Sequence, residues 1–278
     1  MNSEITAIIP IKIDSDDRLK NINTTISFLL KHHNCKIIVK EVDVLQKTNL
    51  PKHDRLFYIF EQSDDPFFHR TKILNEMLLQ VDTKYTINYD CDMLISQKTM
   101  NMCLTMLKKG YDLVYPYQKN TIYYTSLLND IQRQKFITDE NTDHIDYLIS
   151  KYMINLNHPG VNYYIGTGLE GVVCSGGMQF FNTQSYIEGC GENELFIDWG
   201  PEDYERLYRF FILGYKIGWI DSGNIYHIDH KKTKSTETST KTYQSNLKNL
   251  IYILSNIKNK NDMTNYMLSL NYTNKFKK

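Results

Sequence analysis

Short apolar runs alternate along this chain with longer stretches in which apolar residues recur at helical spacing. The first run, Ile5–Ile9, is closed by Pro10 and predicts a buried strand. Asp14 or Ser15 then caps a helix, with Asp16 and Asp17 in its first turn, where acids favour the positive end of the helix dipole. Leu19, Ile22, Ile26, Leu29 and Leu30 line one side of it. Lys36–Lys40 and Leu56–Phe60 read as the next strands. Arg70–Gln80 reads as a helix with Ile73, Leu74, Met77 and Leu78 facing in, and Lys84–Tyr89 as a strand. Gln97–Lys109 follows as a helix stopped by Gly110, then Tyr111–Tyr115 as a strand closed by Pro116. This alternation predicts an α/β protein with an open, mostly parallel central sheet and helices on both faces. Right-handed crossovers then bring the strand ends to one edge.

The pattern changes at Asn120. Residues 120–157 read as a helical insertion, with helices at Tyr124–Ile137 and Glu140–Met153, covering the sheet edge or shaping a groove there. His158–Gly171 is glycine-rich and reads as a mobile loop. Val172–Phe181 reads as a strand running through Gly176-Gly177. Pro201 starts a helix at its first position, with Glu202 and Asp203 in the first turn and Gly214 beyond its end. Tyr215–Ile220 and Asn224–Ile228 are expected strands. Lys231–Lys241 is a flexible Lys/Thr/Ser run, and Tyr243, Leu247, Leu250, Ile251, Leu254 and Ile257 mark a packed C-terminal helix. The polar, basic end, Asn271–Lys278, is expected to be disordered. Residues 1–230 thus form one domain, and 231–278 a linker plus a helix packing on it.

Composition narrows this little but excludes some classes. Length 278 fits one large domain or a domain with an extension. Lys+Arg and Asp+Glu both number 32, so wholesale attraction to nucleic acid or an anionic membrane is not indicated. No apolar run reaches the roughly 18 residues of a membrane span, and the polar start, Met1–Glu4, is not a signal peptide. Five cysteines without CxxC spacing read as free thiols in a reducing compartment and argue against a zinc site. The expected location is the cytosol of a bacterium or of a virus and its host.

The chemistry gathers around Asp90-Cys91-Asp92, at the end of the strand Tyr85–Tyr89. Two acids after a strand can simply begin a turn. At the carboxyl end of a sheet strand, however, they can also hold a divalent cation in the crevice where α/β sheets bind ligands. Alternation puts Asp90 and Asp92 on the same side. One can bind Mn²⁺ or Mg²⁺ directly while the other holds a ribose or a metal-bound water, and a diphosphate fills the cation's open positions.

Several motifs then resemble a known family. Ile8-Ile9-Pro10 with Asp17-Arg18, Phe67–Asn75 (FFHRTKILN) and Asn88–Met93 (NYDCDM) resemble family 2 and bacterial chondroitin-polymerase-like glycosyltransferases of the Rossmann-like GT-A fold. Gly176–Asn182 (GGMQFFN) and Trp199-Gly200-Pro201-Glu202-Asp203 are similar to the carboxyl-terminal motif of β-1,4-galactosyltransferases and polypeptide N-acetylgalactosaminyltransferases. The resemblance covers about residues 5–230.

It implies a metal-dependent hexosyl or N-acetylhexosaminyl transfer from a nucleotide sugar, a UDP-sugar by preference. The acceptor would be a hydroxyl of a glycan, a lipid-linked glycan or a protein, and the transfer would invert configuration; retention remains open. Asp203 matches the catalytic base and Glu202 an acceptor-orienting acid. His227, or alternatively His230, matches the third metal ligand beside Asp90 and Asp92. Arg70 and Lys72 match donor-binding residues, as does one of Glu41 and Asp43 for the uracil or its ribose; Arg18 is a weaker phosphate candidate. Trp199, Gly176 and Gly177 are expected at the acceptor, with Pro159–Gly171 closing over the donor. Pro201 departs from the glycine these families often carry. Two rival readings are a sugar-nucleotide nucleotidyltransferase and a non-catalytic glycan-binding module. Against the first, Pro10–Asp14 lacks the glycine-rich loop that such enzymes place after their first strand.

Overall fold

The computed structural model describes residues 3–120, 124–126, 128–138, 166–223, 225–230 and 240–277. The first half runs β1 (Ile5–Ile11), α1 (Asp16–His32), β2 (Lys36–Asp43), β3 (Leu56–Gln62), α2 (Arg70–Leu78), β4 (Tyr85–Tyr89), β5 (Met93–Ile95), α3 (Gln97–Lys108) and β6 (Leu113–Tyr115). There follow β7 (Tyr124–Ser126), α4 (Asp130–Thr138), β8 (Met178–Asn182), α5 (Thr183–Glu188), α6 (Glu202–Leu213), β9 (Ile217–Trp219) and β10 (Ile225–Ile228). Helices α7 (Lys241–Asn256) and α8 (Lys260–Leu268) and a 3-10 helix (Asn271–Phe276) complete the chain.

The strands form a seven-stranded sheet in the order β3-β2-β1-β4-β8-β6-β9 and a small sheet β5-β10-β7. In the large sheet β8 alone runs antiparallel to its neighbours, so the sheet is mostly parallel, as the alternation predicts. β1 is buried along its whole length, which is why it reads as a continuous apolar run. Each fully buried isoleucine there contributes roughly 1.5–3 kcal/mol of burial free energy. The strand does not stop at Pro10. Pairing with β4 ends at Ile8–Asn88, so beyond it β1 is paired on one side only and tolerates a residue without an N–H. Ser15 caps α1, accepting from Arg18 N, which leaves the Asp14 carboxylate for the Arg18 side chain. α2 packs on β1 and β2, α3 on β6 and β8, and α7 and α8 on α6.

Three further expectations change. Tyr124–Ile137 is not one helix: Tyr124–Ser126 pairs with β10, and α4 starts only at Asp130. Asn129 sets that start through a capping box, its Oδ1 accepting from Gln132 N and its N–H donating to Gln132 Oε1. The strand through Gly176-Gly177 begins only at Met178, because Gly177 takes a left-handed conformation (φ +81°). The C-terminal end is ordered into α8 and the 3-10 helix, where Tyr272 and Thr273 are buried and Thr273 Oγ1 donates to the Met267 and Leu270 carbonyls. The second insertion helix, Glu140–Met153, and most of the glycine-rich loop and of the Lys/Thr/Ser run lie outside the described residues. All five cysteines are free thiols. No described helix is long and apolar enough to cross a membrane.

Candidate active site

The acidic triplet lies where β4 ends and the chain turns into β5. The turn is tied down by Asp90 N donating to the Gly177 carbonyl and Met93 N to the Asp90 carbonyl, both at 3.2 Å. β5 then pairs antiparallel with β10, with Met93 opposite His227, and Ile228 N donates to the Asp92 carbonyl at 2.7 Å. This register carries His227 to Asp92, and His230 follows just past the strand end. Asp92 Oδ2 lies 3.6 Å from His227 Nε2 and 3.3 Å from His230 Nε2. The ligand atoms of the three residues all fall within 4.8 Å of one another. One carboxylate oxygen and two imidazole nitrogens, converging from two strands, make a donor set that a divalent transition-metal ion could occupy. Burial alone would raise the Asp92 carboxyl, but His227, His230 and Arg18 outweigh it and hold the group well below the usual range.

Arg18, in the first turns of α1, completes the surroundings. Its Nε donates to Asp14 Oδ1 at 2.9 Å. Its Nη1 lies 3.5 Å from Asp92 Oδ2, and its Nη2 3.4 Å from His230 Nε2.

Asp90 is outside that three-residue cluster. Its Oδ1 accepts from Arg70 Nη2 at 2.6 Å, and Arg70 Nη1 reaches Glu202 Oε1 at 3.3 Å. Arg70 thus links the acidic turn to the start of α6. Glu202 and Asp203 open that helix, with Pro201 at its cap position and Gly214 ending it in a left-handed conformation. Asp203 pairs with Arg206 one turn on, and Arg206 Nη1 also holds both oxygens of Glu192 at 2.8 Å. Glu192 accepts further bonds from Asn88 Nδ2 at 2.9 Å and Tyr186 Oη at 2.5 Å.

These contacts set the charges. Burial and the neighbouring Asp203 push the Glu202 carboxyl up to about 8, against the opposing pull of Arg70. Burial also raises Asp203, although Arg206 and Arg70 oppose it. Glu192 is as deeply buried, yet Arg206, Tyr186 and Arg70 hold it below its usual range. Gly176 lies against the pair: a Cβ there would sit 2.8 Å from Asp203 Oδ2.

The other expected residues make contacts of their own. Lys72 is half-exposed and faces Glu76 at 3.9 Å, on the side of α2 away from Arg70. Glu41 is fully buried and accepts from Lys47 N, Thr48 N, Thr48 Oγ1 and Tyr58 Oη. Asp43 accepts from Val44 N and from Lys47 Nζ at 2.8 Å, and Lys47 Nζ also reaches the Ile13 carbonyl beyond β1. Trp199 is 46% exposed and stacks on Tyr243 of α7, ring centroids 5.2 Å apart. Gly177 supplies the carbonyl that holds Asp90 N. Sequence reasoning did not single out Glu192, Arg206 or Tyr186, and Asn88 entered only as the first residue of the Asn88–Met93 motif, with no role. Of the first three, Arg206 left a local trace, standing at i+3 from Asp203, where helix side chains meet.

No protein-family model matches this chain, and no curated protein matches it in sequence. Its structure is similar to the crystal structure of the catalytic domain of Drosophila β-1,4-galactosyltransferase 7, determined in complex with xylobiose. The TM-score is 0.51 at 12% identity, and the match covers 93% of this chain and 83% of that one. With its mostly parallel seven-stranded sheet flanked by helices, the chain has the GT-A glycosyltransferase fold.

Proposed function

We propose that this protein is a divalent-cation-dependent glycosyltransferase that moves a sugar from a UDP-sugar to a hydroxyl of a glycan, a lipid-linked glycan or a protein, with inversion. The observation that carries this reading is the adjacency of two centres. One is the cation-binding set Asp92, His227 and His230; the other is the acid pair Glu202–Asp203, joined to the acidic turn through Arg70. A nucleotide sugar needs one group to hold its diphosphate and another to activate the attacking hydroxyl, and the adjacency of the two centres supports assigning those roles to them.

Asp92, His227 and His230 would hold Mn²⁺, or Mg²⁺ with less help from the imidazoles. When bound, that cation supplies Lewis-acid charge to the departing diphosphate. Asp90 orients the donor's ribose or a water beside it, steadied by Arg70. Asp203 is the more open of the two acids, its side chain 18% exposed against 5% for Glu202. It takes the proton from the acceptor hydroxyl, whose acidity rises mainly as the new bond forms, so a modest basicity suffices. Glu202 orients that hydroxyl. Trp199, exposed at the entrance to the same helix, offers a ring face to the acceptor sugar.

Asp203→Asn tests the assignment. It keeps the volume and removes the base. Turnover should fall at least ~10²-fold, the lower range for a general base, while UDP affinity by calorimetry changes little. Near-normal turnover of the Asn variant would refute Asp203 as the base. NMR of the fresh product's anomeric proton reads inversion directly.

A further inference from the structure

We infer that Arg18 competes with the cation for its own ligands and so makes cation binding depend on a diphosphate arriving with it. The inference rests on the cation-site reading above and concerns how that site is regulated.

Arg18 approaches two of the three side chains that would hold the cation. Its Nη1 lies 3.5 Å from Asp92 Oδ2 and its Nη2 3.4 Å from His230 Nε2. A guanidinium only donates, so a hydrogen bond from Arg18 to His230 requires the tautomer with a free Nε2 lone pair, and that lone pair is the one a metal would take. Lysine could give up its proton to make room; arginine keeps its charge at any physiological pH. A bare divalent cation entering here must therefore displace one positive charge and then sit beside it.

A diphosphate changes the balance. It brings negative charge that both the cation and the guanidinium can share, and Arg forms paired, charge-assisted bonds to phosphate oxygens. Arg18 is anchored for this exchange. Asp14 holds its Nε at 2.9 Å, and the side chain is 16% exposed, so the guanidinium is kept at the site. The cation and the diphosphate then bind as a coupled pair, each raising the other's affinity by the same factor. Asp14 and Ser15 supply the device from the α1 entrance: Ser15 takes the cap, and Asp14 is left to hold the arginine.

The test uses the full chain as wild type and as Arg18→Met. Mn²⁺ affinity without nucleotide is read by electron paramagnetic resonance, and UDP affinity by calorimetry in EDTA and at saturating Mn²⁺. Arg18→Met should bind bare Mn²⁺ roughly tenfold tighter, and the Mn²⁺ enhancement of UDP binding should shrink by a comparable factor, an ordinary size for coupling between sites. Unchanged or weaker binding of bare Mn²⁺ by Arg18→Met would overturn the inference. Arg18→Lys, which keeps the charge and loses the fork, is the second variant should the methionine chain not fold; it should bind bare Mn²⁺ more tightly than wild type and by a smaller factor. Wild-type protein that binds no Mn²⁺ even with UDP would remove the cation site itself, and this inference with it.

Discussion

Glu202 and Asp203 are neighbours on one helical turn, yet their surroundings separate them. Glu202 Oε2 is buried with no hydrogen-bond partner among the described residues, while Asp203 is paired with Arg206. A carboxyl raised from its ordinary 4.5 to about 8 has a definite consequence for stability. Between those values the folded chain keeps a proton that the unfolded chain has lost, so stability falls as pH rises and levels off above about 8. Glu202→Gln has no proton to lose. In EDTA, urea unfolding at pH 5.5 and 8.5 should show wild type losing more stability than Glu202→Gln, by about 3 kcal/mol. Equal losses would show that Glu202 titrates at its ordinary value. At this scale the acids were legible in the sequence because they stand in short motifs. Beyond Arg70, their surroundings were not: Glu192 meets Arg206, and through it Asp203, only through the fold, from a position that carries no local signal.

Helix α7 shows how an element outside the motif-bearing region shapes the site. Asn246 is buried and clasps the loop before α6, donating Nδ2 to the Ile197 carbonyl at 2.7 Å and accepting from Ile197 N at 3.3 Å. Tyr243, nearly one turn earlier, stacks on Trp199. Gly200 lets the loop approach, since a Cβ there would sit 2.4 Å from Asn246 Nδ2. Asn246→Leu leaves both Ile197 backbone groups without those bonds and should cost roughly 2 kcal/mol of stability, seen as a lower urea midpoint at unchanged slope. A change below about 0.5 kcal/mol, the size of an ordinary surface substitution, would show that the clasp holds nothing. The sequence announced α1, α2 and α7 through apolar periodicity, and α3 and α6 through the signals at their ends. It did not announce β5 and β7, which are three residues each and too short to carry a period, although β5 fixes the register that brings His227 to Asp92.

At the scale of the molecule, topology does what no single motif does. β1, β2 and β4 run parallel, so the Arg18 helix, the Asp43 loop and the acidic turn all leave the sheet at one edge. β8 enters antiparallel between β4 and β6, which brings Gly176 and Gly177 to that edge, against Asp203 and Asp90. The alternation of strand and helix made the parallel half of this arrangement readable, and the acidic triplet marked its edge. What could not be read was the meeting of β5 with β10 across the chain, a pairing of high sequence separation. For that reason the sequence left His227 and His230 as alternatives, whereas the fold sets both against Asp92. The central claim is that these three side chains grip the cation that holds a UDP-sugar's diphosphate. A crystal grown with UDP and Mn²⁺, mapped by the anomalous signal of manganese, tests it most directly. The account predicts one peak at coordination distance from Asp92, His227 and His230, in contact with the diphosphate. A peak elsewhere, or UDP bound at this edge with no metal, would contradict it.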